Sequence, residues 1–476
     1  MSPKQLDRPM TEPRCLAPWT DLHFTPLGIG TLCCCLYKGK PFPLSVEELD
    51  IPALWYTDWY RDIRRAFRDG EVADSGCRGC RNLTPADRYA PEIPDDLAPK
   101  QEANYRKAVE ASQAADPDSD HLPVRYSAEF TTRCNLRCVM CAQHDSRDKA
   151  KVGEVSGRAL LENMDALEAA DSFRVSGGEP LVSSEAIDFI HAMATDPRLA
   201  NLHLHLITNG LLLDRVLDDL RSIRRMQLNV SIDAVGERYA RIRRGGSWEK
   251  VSANLERVAD MRERLGKDRW VVNASTVLMK TSVEGLVEYV RWCLDRSIQP
   301  LFQPLTPTRQ TRHEDLAGNP ALLETLPWRE NLLEAERLLD EAGLARGAAG
   351  LRRYRHTLEG AAEAHGTDCR ALDEDPDEWL AAGRADGKRV AVWGTGSNYR
   401  HSWADWLAEA RDRFSFVGFI DNDRAKWGST CDGHPVMGPQ ALDEEAVDVV
   451  ILAMTPLLRN DVLKQLRGMD WHGMVI

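Results

Sequence analysis

The sequence predicts an α/β protein whose central part is a partial barrel of six strand–helix units. Between residues 123 and 310, short apolar strands alternate with segments of helical periodicity, which is the pattern of a parallel sheet. Six of the twelve cysteines lie at or before residue 80, which predicts a small cysteine-rich α+β domain ahead of the barrel. From residue 387 the alternation starts again and predicts a third, smaller α/β unit.

Composition narrows the classes of protein that are possible. The formal net charge of −13 and the pI near 5.5 argue against a general partner among nucleic acids or anionic membranes, because both favour basic surfaces. We find no signal-peptide pattern and no apolar run of membrane-spanning length, so we expect a cytoplasmic protein. Thiols stay reduced in that compartment, and clustered cysteines therefore predict metal or redox chemistry before disulfides.

The region before the barrel contains two recognisable elements. HFTPLGIGTL predicts a hairpin, and WYRDIRRAFRDG predicts a helix with Gly70 as its C-cap. The polar, Pro- and Asp-rich residues that follow predict a linker with a short helical stretch. The predicted organisation is a cysteine-rich domain at 1–90, a linker at 91–122, the barrel at 123–310, a helical connector at 311–386 and a Rossmann-like domain at 387–476.

Six strands are expected in the barrel: VRYSAEFTT, SFRVSGGE, LHLHLITN, MQLNVSID, WVVNASTV and IQPLFQP. The segments between them carry helical apolar spacing. Six such units match a partial (β/α)6 TIM-like barrel, whose functional groups lie at the carboxyl ends of the strands.

The segment CNLRCVMC follows the first barrel strand and places Cys134, Cys138 and Cys141 on a loop at that end. Three thiolates can hold three irons of a 4Fe–4S cluster and leave the fourth iron for a small molecule, although half of a zinc site uses the same residue type. In place and spacing the motif resembles the CxxxCxxC motif of the radical S-adenosylmethionine (SAM) superfamily. The resemblance implies that SAM binds the open iron and is cleaved to a 5′-deoxyadenosyl radical, which abstracts hydrogen from the substrate.

Further matches lie on successive strand ends. Gly177, Gly178, Glu179 and Pro180 end the second strand and resemble the GGEP element, which in this superfamily binds the methionyl amino group. Taken alone, this tetrapeptide would be merely a turn. The glycines permit close approach of backbone to a ligand, and a carboxylate suits an ammonium group.

The third and fourth strands end in polar residues. Asn209 ends the third, and Ser231 and Asp233 end the fourth, where they resemble the ribose contacts of the superfamily, although capping roles would explain them singly. The segment RIRRGG, with Arg243, resembles one that meets the methionyl carboxylate. The order of these matches on successive strand ends favours the radical SAM interpretation over the separate ones.

Four further cysteines, Cys15, Cys33, Cys77 and Cys80, precede the barrel. Their frame resembles a twitch domain, the shorter relative of the SPASM domain, which implies a second, fully ligated 4Fe–4S cluster. In better-known members this domain follows the barrel, whereas here it precedes it. Spacing alone does not choose between Cys33, Cys34 and Cys35. The interval from Gly28 to Cys33 resembles the usual one of the family, and this resemblance favours Cys33. A four-cysteine zinc ribbon remains the alternative.

The C-terminal unit carries an incomplete dinucleotide fingerprint. Gly394 and Gly396 follow the strand KRVAVW, but Tyr399 stands where the third glycine belongs, and Asp421 ends the next strand. These residues predict nucleotide or nucleotide-sugar binding, with a docking or dimerisation domain as the equal alternative.

We therefore expect a radical SAM oxidoreductase-type enzyme with two 4Fe–4S clusters. The expected substrate is a sugar, aminocyclitol or nucleotide-linked small molecule that is oxidised or epimerised in a biosynthetic pathway. A ribosomally made peptide is the alternative substrate, and a zinc-stabilised binding protein without catalysis is the remote alternative. We expect a reducing partner such as flavodoxin or ferredoxin and no nucleic-acid or membrane partner, and leave a homodimer open. No catalytic acid or base is evident in the sequence.

Overall fold

The computed structural model describes residues 14–26, 29–33, 49–70, 89–141, 153–266, 268–307, 309–365, 376–396, 403–454 and 456–469, with positions 72, 77, 80, 83–84, 399–400, 471 and 473–476. Two compact units divide the chain. The first consists of Met1–Ile232, Tyr239–Ser275 and Asp295–Gln299, and the second of Asp233–Arg238, Thr276–Leu294 and Pro300–Ile476.

The central sheet contains all six strands that the sequence predicts for the barrel. The strands up to residue 304 are β1 (Asp21–Thr25), β2 (Ile29–Thr31), β3 (Arg125–Glu129), β4 (Arg137–Cys138), β5 (Ser172–Ser176), β6 (His203–Thr208), β7 (Met226–Ser231), β8 (Arg243–Arg244), β9 (Trp270–Leu278) and β10 (Gln299–Pro304). The sheet order is β10-β9-β7-β6-β5-β3-β1-β2, and β4 pairs separately with β8. Neighbours from β1 to β9 run parallel. The predicted α/β fold with a partial TIM-like barrel is confirmed.

Helices lie between most of these strands along the chain. They are α1 (Ala17–Thr20), α2 (Ile51–Trp55), α3 (Asp58–Asp69), α4 (Pro99–Ala114), α5 (Gly157–Leu161), α6 (Met164–Glu168), α7 (Ser184–Thr195), α8 (Leu217–Ser222), α9 (Glu237–Ile242), α10 (Trp248–Arg264), α11 (Lys280–Val283) and α12 (Leu286–Leu294). Phe173 of β5 packs on Phe189 of α7 with ring centroids 4.3 Å apart. Gly70 ends α3 with φ of 79°, the left-handed cap that the sequence predicts.

The N-terminal region is joined to the barrel sheet rather than only tethered to it. The predicted hairpin forms from β1 and β2, and β1 also pairs in parallel with β3. The predicted linker contains α4, whose Tyr105 and Val109 pack in a buried cluster with Val124. The structure thus places the predicted N-terminal domain and linker in one unit with the first barrel strands.

Hydrogen bonds of His121 hold the end of the predicted linker against this unit. Its Nε2 donates to the backbone oxygen of Trp19 at 2.7 Å, and its Nδ1 lies 3.1 Å from the Ser119 hydroxyl. Because a carbonyl only accepts, Nε2 must carry the proton of a neutral ring. Burial, and after it the positive charge of Arg64, lowers the pKa of His121 to about 4.

Acidification is therefore expected to destabilise the fold through His121. The unfolded chain takes up a proton near pH 6.5 and the folded chain only near pH 4, so the free energy of unfolding falls as the pH drops between these values. The expected loss from His121 between pH 7 and pH 5 is about 2 kcal/mol. Urea unfolding at both pH values, for the native chain and His121→Gln, measures it. Equal pH dependence of the two proteins would contradict the assignment.

The second unit begins with a helical layer and ends in a separate sheet. Its helices from residue 328 onward are α13 (Trp328–Glu341), α14 (Ala345–His365), α15 (Pro376–Ala381), α16 (Ala404–Ala410), α17 (Ala441–Glu444) and α18 (Pro456–Arg467). In the predicted connector, α13 and α14 are joined by a partly buried ion pair between Glu336 and Arg355 at 2.8 Å.

The C-terminal sheet contains β11 (Arg389–Trp393), β12 (Ser415–Ile420), β13 (Thr430–Cys431), β14 (His434–Met437), β15 (Val449–Leu452) and β16 (Met474–Val475). Its order is β13-β14-β12-β11-β15-β16, with β13 the antiparallel partner of β14 and the other pairs parallel. Counting the parallel strands along the chain, this order is 3-2-1-4-5, which is that of a doubly wound α/β sheet.

Within the described residues, no helix combines the length and the apolar character that crossing a membrane requires.

Candidate functional site

The cysteine loop is held by the segment that follows β5. The backbone N–H of Gly178 donates to the oxygen of Thr131 at 2.7 Å, and that of Glu179 donates to the oxygen of Arg133 at 2.8 Å. Because β3 and β5 are parallel neighbours, their carboxyl ends meet at one edge of the sheet. The loop and the GGEP segment consequently form one backbone-bonded assembly.

The two glycines are needed because this assembly is so tight. A Cβ on Gly177 would lie 2.5 Å from the Thr131 oxygen, and one on Gly178 would lie 2.5 Å from the Thr132 oxygen. Gly177 also has φ of +137°, a conformation that favours glycine. The sequence predicts that these glycines admit a ligand, whereas the described contact is with the backbone that carries the cysteines.

Glu179 is fully buried and bonded to the next strand end. One carboxylate oxygen accepts from the Thr208 hydroxyl at 2.7 Å and from the backbone of Leu181 at 3.1 Å, and the other accepts from the backbone of Asn209 at 2.7 Å. Burial raises the pKa of Glu179, while these hydrogen bonds and the charge of Arg243 act in the opposite direction. Three protein donors engage the carboxylate, so Glu179 positions the end of β6 whatever else it binds.

Asn209 links the end of β6 to the cysteine loop. Its side-chain amide donates to Asn135 Oδ1 at 2.7 Å and lies 3.9 Å from the sulfur of Cys134. The predicted site residues Glu179 and Asn209 are thus brought together with the first cysteine of the motif.

Arg243 approaches the same loop from the other side. Strand β8 pairs antiparallel with β4, which sets Arg243 opposite Cys138. Its Nη1 donates to the Cys138 sulfur at 3.5 Å. Arg243 is 8% exposed. The resemblance predicts that Arg243 meets the methionyl carboxylate, and the contact with a cysteine does not follow from the sequence. A neighbouring cation stabilises a thiolate.

The donor set fits an iron–sulfur cluster in its chemistry. Cys138 is buried, Cys134 and Cys141 are half-buried, and the N–H of Cys141 donates to the oxygen of Cys138 at 3.2 Å. In the part of the chain that the structure describes, no three His, Cys, Asp or Glu side chains are grouped closely enough to hold one metal ion. A four-iron cluster gives each thiolate its own iron, and hydrogen bonds to its sulfurs tune such clusters.

The fourth strand end carries the predicted ribose contacts. The Ser231 hydroxyl lies 3.3 Å from that of Ser275 on the neighbouring β9. Asp233 has φ of 61°, which is uncommon outside glycine. Its carboxylate accepts from the backbone of Val277 at 2.7 Å, and its backbone oxygen accepts from the Thr276 hydroxyl at 2.9 Å. Ribose binding by these residues stays a prediction.

Three of the four N-terminal cysteines are neighbours. A bridge between Arg14 and Thr84 aligns Cys15 with the turn in which the N–H of Cys80 donates to the oxygen of Cys77 at 3.0 Å. Burial raises the pKa of Cys15 to about 11, and Cys77 and Cys80 contribute to the increase.

The fourth predicted ligand of this set, Cys33, is half-buried, and its backbone oxygen accepts from the Thr31 hydroxyl at 3.4 Å. The competing candidates Cys34 and Cys35 lie outside the described residues, as does Gly28. The choice of Cys33 stays a prediction.

In the C-terminal unit, Asp421 is engaged by its own domain. One carboxylate oxygen accepts from the Thr395 hydroxyl and from Lys426 Nζ, each at 2.6 Å. Burial alone would raise its pKa, but the bonds from Lys426 and Thr395 hold the pKa below its ordinary value. Gly394 has φ of +106° and a Cβ there would lie 3.1 Å from the oxygen of Ala453. Nucleotide binding by Gly394, Gly396 and Asp421 stays a prediction.

Known proteins resemble two parts of the chain. Residues 128–292 match the Radical SAM superfamily, and residues 386–472 match a family described as C2185-like, N-terminal. GTP 3′,8-cyclase of Rhodococcus opacus is 27% identical over 243 residues, covering 47% of this chain and 66% of that protein. GTP 3′,8-cyclase of Paracoccus denitrificans is 30% identical over 204 residues, covering 40% and 56%. The chain thus spans less than two thirds of the length of these relatives.

Solved structures show weaker similarity. The structure titled anSMEcpe with bound AdoMet is 18% identical with a TM-score of 0.36, covering 47% of this chain and 61% of that one. Streptococcus suis SuiB bound to precursor peptide SuiA is 16% identical with a TM-score of 0.33, covering 66% and 69%.

Fold and site together define a partial α/β barrel that carries a three-thiol loop at the carboxyl ends of its strands. The match over residues 128–292 identifies this part of the chain as a radical SAM domain. A radical SAM domain implies SAM and a 4Fe–4S cluster as cofactors.

Proposed function

We propose that this protein is a radical SAM enzyme that abstracts hydrogen from a polar small molecule. The observation that carries the proposal is the convergence of Glu179, Asn209 and Arg243 on the loop of Cys134, Cys138 and Cys141. When bound at this loop, a 4Fe–4S cluster with SAM supplies a 5′-deoxyadenosyl radical.

The residues of the chain have separable tasks in this proposal. The three cysteines hold the cluster, and the backbone of Gly178 and Glu179 holds their loop in place. Arg243 stabilises the thiolate of Cys138 through its hydrogen bond. The strand ends at Asn209 and Ser231, with Asp233 beyond them, bind and orient SAM as the resemblance implies.

We further propose a second 4Fe–4S cluster held by Cys15, Cys33, Cys77 and Cys80. The bridge of Arg14 to Thr84 supports it, because that bridge joins the chain next to Cys15 to the chain just after Cys80. Four thiolates would ligate every iron, so this cluster would serve electron transfer rather than substrate ligation. It therefore favours a net oxidation of the substrate.

The substrate proposed is a sugar, aminocyclitol or nucleotide-linked molecule. On the sheet face opposite the one that packs on α7, the half-exposed or exposed residues of β3, β5 and β6 are polar with one exception. Such a face suits a polar ligand. The name of the GTP 3′,8-cyclases supports a nucleotide-linked molecule. We place the enzyme in the cytoplasm, where thiols stay reduced, with a flavodoxin or ferredoxin as the source of electrons.

Anaerobic reconstitution with iron and sulfide tests both cluster assignments. We expect about eight irons per chain for two cubes, and release of 5′-deoxyadenosine from SAM after reduction. The double variant Cys77→Ala/Cys80→Ala is expected to retain about four irons and the cleavage of SAM, because its radical site is intact.

Cys293→Ala is the matched control, since Cys293 is buried in α12 away from both cysteine groups in sequence. It should bind as much iron as the native chain. If the double variant also binds as much iron as the native chain, the second cluster is excluded. Stoichiometric zinc without iron and without SAM cleavage would instead establish the non-catalytic alternative.

A further inference from the structure

A row of polar side chains crosses five neighbouring parallel strands at one level. The register pairs His23 with Ser127, Ser127 with Arg174, Arg174 with His205, and His205 with Gln227. Residues in register on adjacent strands point to the same side of a sheet. The row therefore lies on the face opposite the one where Phe173 packs on α7.

Arg174 is the unusual member of this row. It lies in the middle of β5, whose neighbouring residues Phe173 and Val175 are fully buried, yet it is itself exposed. Among the described residues, no carboxylate forms an ion pair with it. Other arginines nearby are paired: Arg125 of β3 contacts Asp21 at 2.6 Å, and Arg225, just before β7, contacts Asp171 at 3.1 Å.

The flanking groups are hydrogen-bonding rather than counter-charged. Burial, and after it the neighbouring His203 and Arg174, lowers the pKa of His205 to about 3, so its ring is neutral at pH 7. On the other side, His23 Nδ1 lies 2.6 Å from the Ser127 hydroxyl. His23 Nε2 is buried without a hydrogen-bond partner among the described residues. The row thus offers one guanidinium and polar neighbours, but no anion.

One carboxylate stands two residues further along β3. Glu129 Oε1 lies 3.6 Å from His23 Nε2, and Glu129 is in register with Ser176 at the end of β5. It is therefore nearer than Arg174 to the GGEP segment. Arg174 precedes Gly177 by three residues, or about 10 Å along a strand.

We propose that this row binds an oxyanion group of the substrate, a phosphate or a carboxylate, with Arg174 as its counter-charge. The proposal rests on the function proposed above and narrows its substrate class to anionic molecules. The planar guanidinium donates two parallel hydrogen bonds to either oxyanion, and Ser127 and His205 flank it. Glu129 and His23 bind a hydroxyl or ammonium group of the same molecule, closer to the cysteine loop.

Ligand protection of Arg174 tests the proposal without requiring SAM cleavage. The reconstituted holoenzyme is treated anaerobically with phenylglyoxal, which modifies arginine, and the modification of each arginine is followed by mass spectrometry. The probes are inorganic phosphate, glucose 6-phosphate, glucuronate and glucose. The three sugars differ at C6, which carries a phosphate ester, a carboxylate or a hydroxyl. Arg257, exposed in the middle of α10, is the internal control.

We expect at least one class of anion, the two phosphates or glucuronate, to slow the modification of Arg174. No probe is expected to slow the modification of Arg257. Protection by glucuronate alone identifies a carboxylate site, and protection by the phosphates alone identifies a phosphate site. Equal protection by glucose, or no protection by any anion, overturns the proposal. Either result leaves the radical SAM assignment intact, because that assignment is tested by iron content and 5′-deoxyadenosine.

A variant pair supplies a second measurement. Arg174→Gln is expected to bind the protecting anion at least about tenfold more weakly, because charge-assisted hydrogen bonds are roughly twice as strong as neutral ones. Arg257→Gln should bind it as the native chain does. Equal affinity of Arg174→Gln and the native chain would overturn the assignment of Arg174. Iron content in both variants reports whether the fold is retained.

Discussion

Replacing Gly178 by alanine is expected to abolish SAM cleavage and the cluster of the Cys134 loop. The added Cβ would lie 2.5 Å from the Thr132 oxygen and would also overlap the oxygen of Arg133. Both are backbone atoms of the cysteine loop, so no side-chain rotation relieves the overlap. Overpacking of this kind costs about 1–3 kcal/mol or more, and here the strain acts directly on the loop that positions the thiols.

Iron content after reconstitution measures this effect. We expect Gly178→Ala to retain about four of about eight irons, those of the N-terminal site, and to release no 5′-deoxyadenosine above background. Gly350→Ala is the matched control, because no atom lies within 4 Å of the Cβ position in α14. It is expected to stabilise the helix by about 1 kcal/mol. Full iron content and native activity in Gly178→Ala would refute the described loop packing.

Replacing Arg243 by methionine is expected to slow SAM cleavage about 10- to 100-fold, the range typical for residues that support metal ligands. Methionine keeps the unbranched apolar stem but removes the cation that donates to the Cys138 sulfur. Burial raises the pKa of Glu179, and the same cation opposes this increase. Its loss thus affects a thiolate and the carboxylate that positions Asn209.

The rate of 5′-deoxyadenosine formation, measured over a range of SAM concentrations, separates a binding defect from a slower reaction. Arg243→Lys should recover part of the rate, because it restores the charge without the planar fork. Arg244→Met is the matched control, since Arg244 is the exposed neighbour on the same strand. If Arg243→Met cleaves SAM at the native rate at every SAM concentration, the contact of Arg243 with Cys138 does not contribute to SAM cleavage.

Local patterns were sufficient for much of this architecture. The six barrel strands, the hairpin around β1 and the cap at Gly70 each follow from periodicity or from a single residue type, and each is present. The cysteine loop and its neighbouring strand ends were also predictable. In a parallel sheet, residues that end successive strands must meet at one edge, so the order of motifs along the chain encodes their proximity.

The contacts that particular site residues make could not be predicted from the sequence. The sequence predicts that Gly178 makes room for a ligand, and in the structure it makes room for the backbone of the cysteine loop. Arg243 was expected at a carboxylate, and it lies at a thiol because β8 pairs with β4 across about 105 residues of sequence. Motif spacing predicts that such residues lie close together, but it does not predict which of their atoms are in contact.

The sequence by itself determined the class of fold, the edge of the sheet that carries the site and the cysteines that define its chemistry, because periodicity and spacing are local properties. Only the tertiary structure decided that β1 extends the barrel sheet, and that His23 thereby joins Ser127, Arg174 and His205 in one row. Pairing of strands separated by about 100 residues depends on which surfaces can be buried together. That choice is made by the whole chain and leaves no mark in any single segment.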